Sequence, residues 1–193
     1  MWMLVGGLAL FFAAHLIPTL PKLRVRLVGR IGSGPYRGLF ALASLAALVL
    51  IVWGYGQMQG LGRGNPQLWA PPSWTRQVTM LVMIPAIILL VAAYIPSRIH
   101  NAVRHPMLTA LMLWAFGHLL VNGDLASVLL FGSFLAYGFY DLISANRRAA
   151  LGPLGTAQGS TAGDVAAIAA GLALYALLLF WGHQLLTGVP LWP

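Results

Sequence analysis

The 193-residue sequence contains no cysteine and no glutamate, and its acids are only Asp124, Asp141 and Asp164. Without thiols there are no disulfides, no cysteine-held iron–sulfur clusters or zinc ribbons, no thiolate-ligated haem and no covalent c-type haem attachment. Three scattered acids offer no paired carboxylates and no Ser/His/acid arrangement, so hydrolytic chemistry is not expected. Charge as a whole is scarce. Asp, Glu, Lys and Arg make up 7% of the chain, against about 25% in a soluble domain. Sixty per cent of the residues are hydrophobic and the mean hydropathy is +0.83. Such a chain cannot cover a water-exposed surface of ordinary size, and it reads as an all-α, polytopic integral membrane helix bundle. The formal charge of +8 has no polar domain to display it, so the expected partner is the lipid bilayer and its anionic headgroups, not nucleic acid.

At about 20 residues per span, the apolar runs predict helices near 1–20, 38–56, 78–96, 106–122, 125–145 and 165–187, about six spans in a single domain 1–193. The first run lacks a basic leader and a small-residue cleavage site, so it is expected to be an uncleaved helix. Pro18 and Pro21 should end it, Pro85 should kink the third helix, and Pro106 suits the first turn of the fourth. Connecting segments sort by charge. Lys22, Arg24, Arg26, Arg30, Arg37, Arg98, Arg104, Arg147 and Arg148 fall on one side, Arg63 and Arg76 on the other. The positive-inside rule makes the richer side cytoplasmic. The expected location is a bacterial inner membrane, with both termini periplasmic and Trp2, Trp69, Trp74 and Trp192 near the outer boundary. The loop Leu61–Ser73 carries a G-x-G spacing but neither the preceding strand nor the following helix of a dinucleotide site. Gly152–Gly163 reads as a flexible linker.

Ionisable groups inside apolar runs are costly and therefore informative. His15 lies in FFAAHLIPTL; His118 lies inside the fourth run, which follows Arg104-His105-Pro106 and ends at Asn122-Gly123-Asp124. Asp124 is placed to cap the fifth helix, and Asp141 to pair with Arg147, Arg148 or Arg104. His183, beside Trp181, reads as interfacial, and His100 as solvated. Two intramembrane imidazoles on different helices suit a b-type haem held between helices. Counted from the basic ends at 1.5 Å per residue, His118 lies about 21 Å deep and His15 about 10 Å. His15 with His105, or His118 with His183, would match in depth.

At these residues the sequence resembles the NnrU family of membrane proteins, to which plant zeta-carotene isomerase is related. The resemblance rests on His15 followed by the basic stretch and Tyr36-Arg37-Gly38-Leu39-Phe40, on Arg104-His105-Pro106, on Trp114-x-x-x-His118, and on Asn146-Arg147-Arg148. It covers most of the chain. NnrU proteins are associated with nitrite and nitric oxide reduction in denitrifying bacteria, and the isomerase is a haem b protein. The resemblance therefore implies haem b, with His15 and His118 as metal ligands and His105, Arg104 and Trp114 as further cofactor-binding residues. Electron transfer or a redox-dependent isomerisation is the implied activity. A small apolar substrate or nitric oxide is the implied small-molecule partner, and respiratory or denitrification proteins the implied protein partners. Where the isomerase has a cysteine three residues before its second ligand this chain has Ala115, and where it has a later histidine this chain has Tyr137, which excludes a thiol-for-imidazole ligand exchange. Arg-His-Pro at a helix start also resembles S-adenosylmethionine-dependent membrane methyltransferases, although their paired acids are missing. A non-enzymatic assembly factor for a respiratory complex is the third reading.

Overall fold

A computed structural model describes residues 1–60 and 64–192. In chain order its helices are α1 (Trp2–Leu16), α2 (Pro21–Ile31), α3 (Ser33–Gly60), α4 (Thr75–Ala92), α5 (Arg98–Val103), α6 (Pro106–Val121), α7 (Leu125–Ser127), α8 (Ser133–Arg147), α9 (Thr161–Leu177) and α10 (His183–Thr187). A 3-10 turn (Ile17–Thr19) follows α1, and π-helical turns (Val128–Gly132 and Leu178–Gly182) join α7 to α8 and α9 to α10. Among the described residues strand pairing is confined to two isolated bridges, Gln67 with Asp124 and Ser97 with Ser160. Among the described residues five stretches are long and apolar enough to cross a membrane: Trp2–Thr19, Ser33–Gly60, Thr75–Ala92, Leu125–Arg147 and Thr161–Thr187. The predicted fourth span is α6, an apolar helix of 16 residues. At about 24 Å it is shorter than a hydrocarbon core of about 30 Å.

The chain forms two compact units, residues 1–71 with 122–137 and residues 72–121 with 138–193. In the first, α1 and α3 pack through small residues. A Cβ on Gly7 would lie 2.8 Å from the Ile51 amide nitrogen, and one on Gly54 would overlap the backbone of Leu4. Leu4, Ala47 and Met58 are fully buried in this seam. Small residues let two backbones approach closely where lipid offers no hydrophobic contrast. The basic segment predicted as a connection is instead helical. Pro21 starts α2 and Gly32, at φ +87°, ends it.

Asp124 holds the other end of this unit together. As expected, it caps α7, its carboxylate accepting from the Ser127 amide at 3.0 Å and the Ser127 hydroxyl at 2.6 Å. It also accepts from Asn65 Nδ2 at 2.8 Å and Gln59 Nε2 at 3.2 Å. The Asn65 side-chain oxygen accepts from the Ala126 amide, and the Gly123 carbonyl accepts from Leu68 and Trp69. Leu61–Arg63, with part of the G-x-G spacing and the Arg63 placement, lie outside the described residues.

Burial pushes the Asp124 carboxyl up, but bonds from the Ser127 hydroxyl, the Asn65 amide and the Ser127 amide outweigh it and hold the pKa below its ordinary 3.8. A carboxylate depressed by folding contributes stability that is complete above the unfolded-chain value and lost as pH falls through the folded one. Asp124→Asn is therefore expected to cost about 2 kcal/mol near neutral pH. In thermal melts of the detergent-solubilised protein, the gap to wild type should shrink as pH drops below about 4. A gap independent of pH would show that the charge plays no part.

In the second unit α4 packs on α6 and α9. Thr79 donates to the Gly117 carbonyl at 2.8 Å, Tyr175 donates to the Met80 carbonyl at 3.2 Å, and a Cβ on Gly171 would lie 2.8 Å from Ile88 Cα. Pro85 sits inside α4, which stays helical on both sides. Pro106 opens α6 as its fixed φ and missing amide allow. The anticipated acid–base pair is Asp141 with Arg148, 3.1 Å apart. Gly152–Gly163 is not a loose linker. Cβ atoms on Gly159 and Gly163 would overlap the Ser97 and Pro96 carbonyls, and Ser160 caps α9 by accepting from the Gly163 amide at 3.0 Å.

Candidate functional site

The two intramembrane histidines share one local device. His15 Nδ1–H donates to the Phe11 carbonyl and His118 Nδ1–H to the Trp114 carbonyl, each at 2.8 Å and each one turn back along its helix. Because a carbonyl can only accept, both rings carry the proton on Nδ1, which makes Nε2 the basic nitrogen. A second-sphere bond of this kind fixes the tautomer and orientation that a metal-binding imidazole needs.

His15, in the first unit, lies among aromatic rings. Phe11 stacks on it with centroids 3.9 Å apart, Phe40 lies 4.9 Å away, and Tyr137 meets it edge-on at 6.3 Å. The Tyr137 hydroxyl donates to the His15 carbonyl at 3.2 Å, tying the start of α8 to the end of α1. The position where the related isomerase has a histidine thus braces the backbone of His15 here.

His118, in the second unit, is half-buried beside Trp114, centroids 5.2 Å apart. His183 lies on its other side, centroids 6.5 Å apart and planes 23° from parallel. His183, expected at the membrane interface, follows directly on the π-helical turn Leu178–Gly182, which sets its register on the helix. Its Nδ1–H donates to the Val189 carbonyl at 2.8 Å, with the Thr187 hydroxyl at 3.1 Å. The two imidazoles also match in depth, as counted from the basic ends of their helices.

Arg104 and His105 belong to a different place in the second unit. With His100 and residues 149–152 and 155–158 they line a cavity of about 270 Å³ at the arginine-rich end. His100 is not solvated. It is 5% exposed, its Nδ1–H donates to the Ala92 carbonyl at 3.1 Å, and its amide donates to Ser97, the N-cap of α5. His105, 9% exposed, is also buried. Along α6, thirteen residues separate His105 from His118, about 20 Å, so these residues do not share a site with His118. Among the described residues no group of three or more His, Cys, Asp or Glu could hold a metal ion. His15, His118 and His183 are the imidazoles that remain within the apolar helices.

Apolar helices with tautomer-fixed histidines inside them define a helical membrane protein. The chain belongs to the NnrU family, described as NnrU protein, whose sequence model matches residues 3–191. No curated protein and no solved structure matches it.

Proposed function

We propose that this NnrU-family protein binds haem b within the bilayer and serves nitrite and nitric oxide metabolism, by electron transfer or by redox-dependent isomerisation of a small apolar substrate. The observation that carries the reading is the shared tautomer of His15 and His118, each Nδ1–H held by a carbonyl one turn back in apolar, aromatic surroundings. Haem b would supply one-electron chemistry. The chain's part is to present basic Nε2 nitrogens, to hold their rings against Phe11, Phe40 and Trp114, and to keep water from them. The family resemblance favours His15 with His118 as the residues that would hold the haem. The approach of the His183 ring to within 6.5 Å of His118 in the same unit makes His118 with His183 the alternative pair. His118 is common to both pairs. The reading includes the arginine-rich end facing the cytoplasm of a bacterial inner membrane and both termini in the periplasm.

The test is an absorption spectrum of the detergent-purified protein, oxidised and then reduced. A Soret band with sharp reduced α and β bands supports six-coordinate haem held by two imidazoles. A colourless protein that takes up no added haem, yet shows S-adenosylmethionine affinity by calorimetry, overturns the reading in favour of methyl transfer.

A further inference from the structure

The cavity at the arginine-rich end of the second unit is unused by any haem ligand, and its chemistry is one-sided. Its polar side chains are His100, Asn101, Arg104, His105, Thr156 and Gln158, and none is an acid. Both acids of this unit are engaged elsewhere: Asp164 with Arg98 at 2.5 Å and Asp141 with Arg148 at 3.1 Å. Among the described residues Arg104 has no acidic partner, so its charge has no counterion within the unit. His105 is 9% exposed as a residue, and its side chain lines the cavity.

The backbone is strained to build this wall. Arg104 sits at φ +60°, the centre of a γ-turn closed by His105 N–H donating to the Val103 carbonyl at 2.7 Å. Such turns are rare for residues with a side chain. Ala149, at φ +48°, is the other non-glycine residue at positive φ among those described, and it lines the same cavity. Strain of this kind persists where the surroundings over-determine it, and it concentrates at binding sites. Ser97 caps the start of α5, the helix that carries His100 and Asn101 into the cavity lining, and Gly159 passes close against the Ser97 carbonyl.

We propose that this cavity binds a phosphate ester, with the Arg104 guanidinium supplying the charge-assisted contact and His105 a ring N–H donor. Basic pockets among helices at the cytoplasmic side of a membrane take phospholipid headgroups, and a soluble phosphate ester presents the same oxygens. The inference is independent of haem, since it concerns residues about 20 Å along α6 from His118.

The test uses the full-length protein in detergent with three probes: inorganic phosphate, glycerol 3-phosphate and phosphatidic acid in mixed micelles, with phosphatidylcholine micelles as the blank. Affinity is followed by thermal stabilisation and by phosphorus NMR line broadening. Saturable binding that weakens about tenfold in Arg104→Gln, the loss of one charge-assisted contact, is the expected result. His105→Leu should weaken it several-fold. Arg104→Lys, with the same backbone demand and the charge kept, should stay within about fivefold of wild type, separating lost charge from lost fold. Arg147→Gln, at the same end but outside the cavity wall, should bind as wild type. Binding of the soluble probes assigns a soluble ester; binding of phosphatidic acid alone assigns a lipid headgroup. No binding by any of the three, or equal weakening in Arg104→Gln and Arg147→Gln, overturns the proposal.

Discussion

Replacing His118 with alanine is expected to lower haem content from about one per chain to below about a tenth, the largest effect any single side chain should have on cofactor content. The imidazole is common to both candidate axial pairs, and its tautomer is fixed by the Trp114 carbonyl. Alanine removes the ligand but leaves α6 intact, since its helix propensity is the highest of all. The companion variants then distinguish the pairs. If His15 is the second ligand, His15→Ala leaves a five-coordinate iron with a broadened reduced spectrum while His183→Ala remains six-coordinate. If His183 is the second ligand, those results exchange. The haem-to-protein ratio and the reduced α-band width are read on the same sample. Unaltered haem content in His118→Ala would remove the proposed site altogether.

The second large effect concerns the fold. Gly54→Leu is expected to destabilise the protein by about 3 kcal/mol or more, the upper range for overpacking. A Cβ there would lie within 2.8 Å of Leu4 Cα and 2.9 Å of the Met3 carbonyl carbon, both backbone atoms that no rotamer change can move. Helix α1 would have to shift along α3, opening the seam around Leu4 and Met58. Gly56→Leu is the control, because a Cβ at Gly56 meets nothing within 4 Å. It adds the same apolar volume to the same helix and should stay within about 0.5 kcal/mol of wild type. Equal melting temperatures for the two variants would contradict the close α1–α3 approach.

Hydropathy alone located the apolar runs, because a span must satisfy its backbone internally and present hydrocarbon over about 20 residues. Local chemistry located the features that depend on one residue and its neighbours: Pro106 opening α6, Asp124 capping α7, Asp141 pairing with an arginine. What sequence could not reveal depends on which helices meet. In a chain this apolar every face looks alike, so the approach of His183 to His118 through a π-helical turn left no periodic trace. The glycines of Gly152–Gly163 suggested looseness, yet Gly159 and Gly163 are needed where one backbone passes against Ser97 and Pro96. The burial of His100 and His105 follows from that same packing. The helical character of α2 was legible in principle, since Leu23, Leu27 and Ile31 recur at helical spacing among its basic residues.

The central claim is that this membrane bundle is a haem b protein, and a pyridine haemochrome assay on the detergent-purified chain tests it most directly. The account predicts a haem b spectrum at about one haem per chain, and a ratio that falls in His118→Ala while the protein still elutes as a folded species. A purified, folded chain with no haemochrome signal, before and after incubation with haem, would contradict it.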